Sequence, residues 1–284
     1  MDEIYVGLDI GGTKLIIASA EADGSIVARE RSATPRHCGQ GLELIDELIA
    51  KVARGRKIAG IGAAAGGPLD WRTGVVSPLH QPEWKEAPLK ERLEKKWECG
   101  FQVDVDTNVA ALGEYHYSSD HPARLLYLTV STGMGGGLVV DGRIYRGMRG
   151  EHPEVGHQTI NFRNSSGAPV VCSCGAGDCL EALISGNGIR RLYGKRPDEL
   201  SQEQWEEVAW NFGQGLRNLA AIYLPEVIVL GGGIVFGAGD RFIERAVAIM
   251  RDQLKIVSAP LVRCSGMGED NVLKGAFLLA GACK

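Results

Sequence analysis

Apolar and polar residues alternate from the start of the chain. Ile4 to Asp9 and Lys14 to Ala20 read as strands joined by a tight turn at Gly11-Gly12, and Asp23-Gly24 turns the chain into a third strand, Ile26 to Arg31. The period then changes. Leu42, Ile45, Leu48, Ile49 and Val52 recur at helical spacing and predict an amphipathic helix. Lys57 to Ala64 returns to a strand pattern and ends in a glycine-rich stretch, Gly60 to Pro68, that includes Gly67. A helix near Pro88 to Trp97, a strand at Phe101 to Val105 and a helix opening at Asp106 complete this half.

The same figure begins again downstream. Leu125 to Ser131 predicts a strand, Thr132 to Gly136 a glycine-rich turn, Gly137 to Val140 a strand, Asp141-Gly142 a hairpin turn, and Ile144 to Arg146 the start of a third strand. The two copies lie about 120 residues apart, which implies an internal duplication and two similar domains around a cleft. The polar stretch Ser118 to Ala123 sets the boundary, giving an N-terminal domain at 1–118 and a C-terminal domain at 119–270. In the latter, a helix is expected around Gln204 to Tyr223, a strand at Val227 to Leu230, a turn at Gly231-Gly232-Gly233 and a helix from Asp240. A final helix, Asn271 to Ala282 within 271–284, is expected to cross back onto the first domain.

Composition narrows the function classes. A net charge of −4 over 284 residues carries no basic footprint, which argues against a nucleic-acid partner. The longest apolar runs, Leu15 to Ala20 and Val227 to Leu230, are too short to span a bilayer. Met1-Asp2-Glu3 is acidic where a secretory signal is basic, so a cytoplasmic protein is expected. Of the 7 cysteines, Cys172, Cys174 and Cys179 cluster while Cys38, Cys99, Cys264 and Cys283 are scattered, a distribution of one metal site plus reduced thiols.

Several segments carry candidate chemistry. In Asp9-Ile-Gly-Gly-Thr-Lys14 the glycines free backbone N–H groups between two strands, a geometry that admits a phosphate as well as an ordinary hairpin. The second copy, Ser131 to Gly137, favours the phosphate reading, and Gly231-Gly232-Gly233 would let a flat base lie against backbone. Asp106 stands at a strand end, where a carboxylate serves either as general base for a hydroxyl or as a helix cap. Glu154, His157 and Glu181, at turn and helix ends, suit hydrogen bonds to sugar hydroxyls, and equally suit surface or capping roles. Cys172, Cys174 and Cys179 with His157 make a four-ligand zinc set, which leaves no open position and is therefore structural.

These residues together resemble the ROK family (repressors, open reading frames and kinases). Asp9 to Lys14 is similar to the family's first phosphate motif, and Ser131 to Gly137 with Asp141 to Gly147 to its second. Glu154-Val-Gly-His157 with Cys172 to Glu181 is similar to its paired sugar and zinc signature. The resemblance implies an α/β, two-domain actin-like (ribonuclease-H-like) ATPase fold with a central cleft, whose closure expels water. It implies an ATP-dependent sugar kinase (glucokinase-like) with magnesium and structural zinc, acting on the 6-OH of a hexose or N-acetylhexosamine, as a homodimer. Asp106 would be the base; Gly67, His80, Glu154, His157 and Glu181 would bind sugar, with His157 shared with the zinc. Asp9 would sit near magnesium, and Gly11, Gly12, Thr13, Lys14, Thr132, Gly133, Gly232 and Gly233 would line ATP. Three places depart from the family pattern: Val105 replaces an Asn before the catalytic Asp, His80 stands in a segment that usually offers Asn, and Glu151-His152-Pro153 replaces small residues. The alternative is a sugar-sensing or catalytically degenerate relative. A repressor is disfavoured because the first motif starts at residue 9, ahead of which no winged helix is expected.

Overall fold

In the computed structural model, which describes residues 3–119 and 121–283, the strand–turn–strand figure forms twice. The first copy is an antiparallel meander of β1 (Ile4–Ile10), β2 (Lys14–Ala20) and β3 (Ile26–Ala33). Gly24, at φ +83°, turns β2 into β3 in backbone that glycine adopts without cost. α1 (Cys38–Ala53) buries the predicted stripe of Leu42, Ile45, Leu48, Ile49 and Val52, and ends where Arg54 turns left-handed and donates its N–H to Ala50 O. β4 (Ile58–Ala65) lies parallel to β1. A small ribbon of β5 (Leu69–Asp70), β6 (Val75–Val76) and β7 (Ala87–Pro88) precedes α2 (Leu89–Trp97). β8 (Gly100–Val105) lies parallel to β4 and feeds α3 (Asp106–His116). The sheet order is β3-β2-β1-β4-β8.

The second copy has β9 (Arg124–Val130), β10 (Met134–Val140) and β11 (Arg143–Ile144). Asp141 and Gly142, at φ +49° and +77°, make the tight turn between the last two. After a 3₁₀ turn, Val155–His157, come α4 (Leu180–Ile184), α5 (Gly186–Tyr193) and α6 (Gln202–Tyr223). Ser201 and Gln204 close a reciprocal capping box that fixes the start of α6. β12 (Val227–Gly231), α7 (Gly233–Ala238), α8 (Asp240–Gln253) and β13 (Leu261–Cys264) complete the set. The sheet order is β11-β10-β9-β12-β13, with the same senses as in the first sheet: two antiparallel pairs, then two parallel ones. α9 (Asn271–Gly281) ends the chain's regular structure.

Contacts divide the chain into two compact units. One contains residues up to Ser118, residues 148–151 and those from Met267 onward; the other contains 119–147 and 152–266. In the first, Ile4, Val6, Leu8 and Ile10 face the α1 side of the sheet, while Ile16, Ala18 and Ala20 pack with Leu273 and Phe277 of α9 on the other. In the second, β9 and β12 bury Leu126, Leu128, Ile228 and Leu230 in one core with Phe212 and Leu216 of α6 and Met250 of α8. No helix among the described residues is long and apolar enough to cross a membrane.

The differences from expectation have local causes. Met134, Gly135 and Gly136 belong to strand β10 rather than to the turn, so the strand starts three residues before Gly137. A Cβ on Gly136 would lie 2.7 Å from Val155 Cγ2 and 3.0 Å from Tyr127 O, so glycine there serves close packing, and a run without side chains shows no alternation to read. The third strand of the second copy is Arg143–Ile144, shorter than expected and ending before Arg146. The ribbon, α4, α5 and β13 are too short to show a period.

Close approach of α9 decides the first unit's packing. A Cβ on Gly62 of β4 would run into Ala276 O, and one on Gly275 of α9 into Val109 O of α3. Backbone meets backbone at both places, so neither side can yield by turning a rotamer. Gly275→Ala is therefore expected to cost about 1–3 kcal/mol despite alanine's better helix propensity. Gly281→Ala, in open space, should stay within about 0.5 kcal/mol of wild type. Urea unfolding midpoints of the two variants check this, and equal midpoints would refute the close-approach account.

Candidate active site

Three strand ends in the first unit come out level. Ile10 of β1 pairs with Ala65 of β4, and Ala65 pairs with Val105 of β8, so Gly11, Gly66 and Asp106 leave the sheet side by side. The turn after β1 is closed by Gly11 N donating to Lys14 O at 2.9 Å, and is held from the side by Thr34, whose Oγ1 donates to Gly11 O at 2.7 Å. Asp9, half-buried, precedes it. After β4, Leu79 N donates to Gly67 O at 3.0 Å and Ser77 N to Pro68 O at 2.9 Å, so the 77–80 segment zips onto the glycine loop. That brings His80 over the first turn: its Cβ would be 3.2 Å from a Cβ on Gly12.

Two carboxylates two residues apart have opposite surroundings here. Asp104 is buried, and its Oδ1 accepts from Val105 N and from Asn108 Nδ2, each at 2.8 Å. Asp106 is exposed, and its Oδ1 accepts from Thr107 N at 2.7 Å. The helix-end contact thus exists together with solvent access at Asp106.

In the second unit the turn after β9 is tied to two helices. Gly186 N donates to Ser131 O at 2.8 Å and Asn187 N to Thr132 O at 3.1 Å, which uses the leading N–H groups of α5 on the turn's carbonyls. Met134 N, just past the turn, donates to Glu181 Oε2 at 2.9 Å. Thr129 pairs with Gly231, so the turn after β9 and the one after β12 emerge together. Beside them opens a cavity of about 580 Å³, lined by Thr132 and Gly233 together with Arg190, Asp198 and Trp205. This volume lies in the range of small-molecule sites.

Below Glu181 lies the cysteine knuckle. The ligand atoms of His157, Cys172, Cys174 and Cys179 all fall within 4.8 Å of one another. His157 turns Nδ1 to Cys172 Sγ at 3.4 Å and Nε2 to Glu154 Oε2 at 3.8 Å. Cys174 and Cys179 sulfurs are 3.7 Å apart, well beyond a disulfide bond. Burial pushes the Cys179 thiol up to about 12, whereas the Ala176 backbone N–H lowers that of exposed Cys174. Three sulfurs and an imidazole converging in this way match the soft, tetrahedral donor set of zinc.

Comparisons with known proteins decide the family. A profile described as ROK family matches residues 5–282. The chain is 31% identical to a glucokinase from Halalkalibacterium halodurans, over 86% of this chain and 84% of that protein. It is 28% identical to a fructokinase from Zymomonas mobilis, covering 99% and 98%. The crystal structure of a ROK hexokinase from Thermus thermophilus superposes with a TM-score of 0.86 at 33% identity, covering 98% of each chain. The chain belongs to the ROK family. Its fold is the actin-like two-domain ATPase fold of ROK proteins, with the strand order above in each unit.

Within this ROK chain, the structure groups some expected residues and separates others. Gly11, Gly12, Thr13 and Lys14 form one turn, with His80 against it and Gly67 one loop away. Thr132 and Gly233 line the cavity; Gly133 instead faces Glu181, and Gly232, at φ +96°, folds against Val130 as the chain leaves β12. Sequence reading missed Asp104 with Asn108, Thr34, Ser173 and the cavity residues Arg190, Asp198 and Trp205. Only the i,i+4 spacing of Asp104 and Asn108 offered a signal.

Thiol reactivity follows from the knuckle's electrostatics, since the thiolate is the nucleophile. Burial also raises Cys99 and Cys283 to about 11. In metal-free folded protein at pH 8, Cys174 should alkylate first, and Cys99, Cys179 and Cys283 far more slowly. Peptide mapping after limited iodoacetamide treatment reads the order; Cys283 labelling as fast as Cys174 would contradict it.

Proposed function

We propose that this ROK protein is an ATP-dependent sugar kinase that phosphorylates a hexose or N-acetylhexosamine, at the 6-OH, with Asp106 as general base. The observation that carries the reading is the contrast at the end of β8: Asp104 is buried and committed to Asn108, while Asp106 is exposed at the strand end. An exposed carboxylate whose neighbours fix the backbone around it can take the proton of an attacking hydroxyl. Relatives named glucokinase and fructokinase support the same class.

On this reading Gly11, Gly12, Thr13 and Lys14 line the phosphates, as do Thr132 and Gly133, and Gly232 and Gly233 border the base. The cavity beside Thr132 and Gly233 has room for a nucleoside. Asp9 is an oxygen donor of the kind magnesium takes, and magnesium, when bound, neutralises phosphate charge. Gly67, His80, Glu154, His157 and Glu181 bind the sugar. The orientation of His157 supports a double role, because Nδ1 faces the sulfurs and Nε2 faces Glu154. Zinc at His157, Cys172, Cys174 and Cys179 would lock the knuckle that leads into α4.

Val105, in place of the family's Asn, is the observation that keeps a second reading, a sugar-binding regulator without turnover. One assay separates the two. Purified protein is offered a panel of hexoses and N-acetylhexosamines with ATP and magnesium, and sugar phosphate is measured. The kinase reading expects transfer to at least one sugar, and a loss on the order of 10²–10⁴-fold in kcat for Asp106→Asn, which keeps the bond to Thr107 N. Sugar binding without transfer would favour the regulator, and an Asp106→Asn variant within about threefold of wild type would remove Asp106 as base.

For the metal, elemental analysis is expected to give one zinc per chain. Cys174→Ala should lose it and melt at lower temperature, while Cys38→Ser should keep it. A folded, active protein free of zinc would end the assignment.

A further inference from the structure

Glu181 is engaged on both of its oxygens. Oε2 accepts from Met134 N at 2.9 Å, and Oε1 accepts from Ser173 Oγ at 3.3 Å and lies 3.8 Å from Cys172 Sγ. Met134 is the residue just past the second glycine turn; Ser173 and Cys172 belong to the knuckle. One carboxylate therefore spans from the cysteine cluster to the turn. The surrounding backbone leaves it little freedom. A Cβ on Gly133 would lie 2.9 Å from Glu181 Oε2, and one on Gly156, next to His157, would lie 2.7 Å from Met134 O and 3.3 Å from Glu181 Cβ.

The rest of the turn is held by other groups. Its carbonyls at Ser131 and Thr132 are held by α5, and Ser131 N closes the turn onto Gly133 O at 2.9 Å. The Met134 N–H, where the turn becomes strand β10, is held by Glu181. The knuckle in turn is a short loop on which Cys174 and its neighbours are exposed, with Cys172 N to Ala176 O at 3.0 Å and Gly175 N to Cys172 O at 3.1 Å as its internal bonds. A cation shared by His157, Cys172, Cys174 and Cys179 would fix Ser173 and so fix the carboxylate. Without it Ser173 gains freedom, and whatever binds the turn must order the turn itself, which weakens binding.

We infer that Glu181 is a positioning residue that couples metal occupancy of the cysteine cluster to nucleotide affinity at the second glycine turn. The inference rests on the proposed nucleotide role of Thr132 and Gly133, and it adds to Glu181 a task separate from holding sugar. Linkage makes the coupling reciprocal: if zinc tightens nucleotide binding, nucleotide tightens zinc by the same factor. A metal that only stabilised the fold would not work through one carboxylate.

The test uses the full chain without sugar. Zinc-loaded protein and protein stripped with a chelator, then freed of chelator, are titrated calorimetrically with a nonhydrolysable ATP analogue and magnesium, at a temperature where circular dichroism shows both folded. Wild type should lose about tenfold in affinity on stripping. Glu181→Ala should bind weakly in both states with no difference between them. Glu181→Gln, which keeps one oxygen for Met134 N and places an amide toward Ser173, should restore the difference. A second arm begins from zinc-loaded protein and measures zinc transfer to a chromogenic chelator with and without the analogue, so it reads the coupling even where the stripped chain unfolds. The analogue should protect zinc in wild type and not in Glu181→Ala. Equal analogue affinity in loaded and stripped wild type, or undiminished coupling in Glu181→Ala, overturns the inference. If no form binds the analogue, the nucleotide reading itself fails, and this inference falls with it.

Discussion

Parallel pairing at the centre of each sheet is the constraint on which the candidate site depends. In a parallel pair the neighbouring strands run the same way, so their carboxyl ends fall at the same edge, where open α/β sheets gather ligands. The register sharpens this. Ile10, Ala65 and Val105 lie in one row, as do Thr129 and Gly231 in the second sheet. A one-residue slip in either row would turn every side chain beyond it to the opposite face. It would bring the buried Asp104 to the rim and carry Asp106 past it. The antiparallel meander alone cannot produce such a row, because its strands alternate in direction.

Glycine makes the second contribution, by allowing backbone to approach backbone. At the sheet rims it shapes the turns; beneath the first sheet, Gly62 and Gly275 let α9 settle against β4 and α3. Gly136 and Gly156 do the same around the second turn, drawing the Val155–His157 segment and α4 onto β10. The knuckle, the turn and Glu181 are close because residues without side chains stand between them. This is one structural use of an unusually high glycine count, 39 of 284.

Much of this was legible in the sequence, for physical reasons. Long amphipathic segments such as α1 and α6 declare their period, and the tight turns at Asp23-Gly24 and Asp141-Gly142 declare their left-handed backbone. The duplication was visible because both copies use the same strand–turn–strand chemistry. The spacing of Cys172, Cys174 and Cys179 pointed to His157, and the structure brings the four together. What could not be read were features that depend on meetings across the chain. Thr34 reaches Gly11, Ser173 reaches Glu181, and His80 lies over Gly12, each through tertiary placement with no local period. Met134 to Gly136 were read as turn because a glycine-rich stretch with few side chains looks like a loop. The cavity residues Arg190, Asp198 and Trp205 come from three short or separate elements that no motif joins.

The position of α9 has a consequence for synthesis. The first unit takes its opening residues from the start of the chain and one cover of its sheet from residues 271–281, whereas the second unit lies almost wholly between them. A chain emerging from the ribosome therefore presents β1, β2 and β4 long before the helix that shields their second face. Leu273 and Phe277 are the residues that bury Ile16 and Ala18 there. The later-made unit has all its core elements in hand by Cys264, so it is able to complete first. The unit that begins the chain must finish last, and until then it keeps an apolar sheet face open to any other exposed surface in the cell.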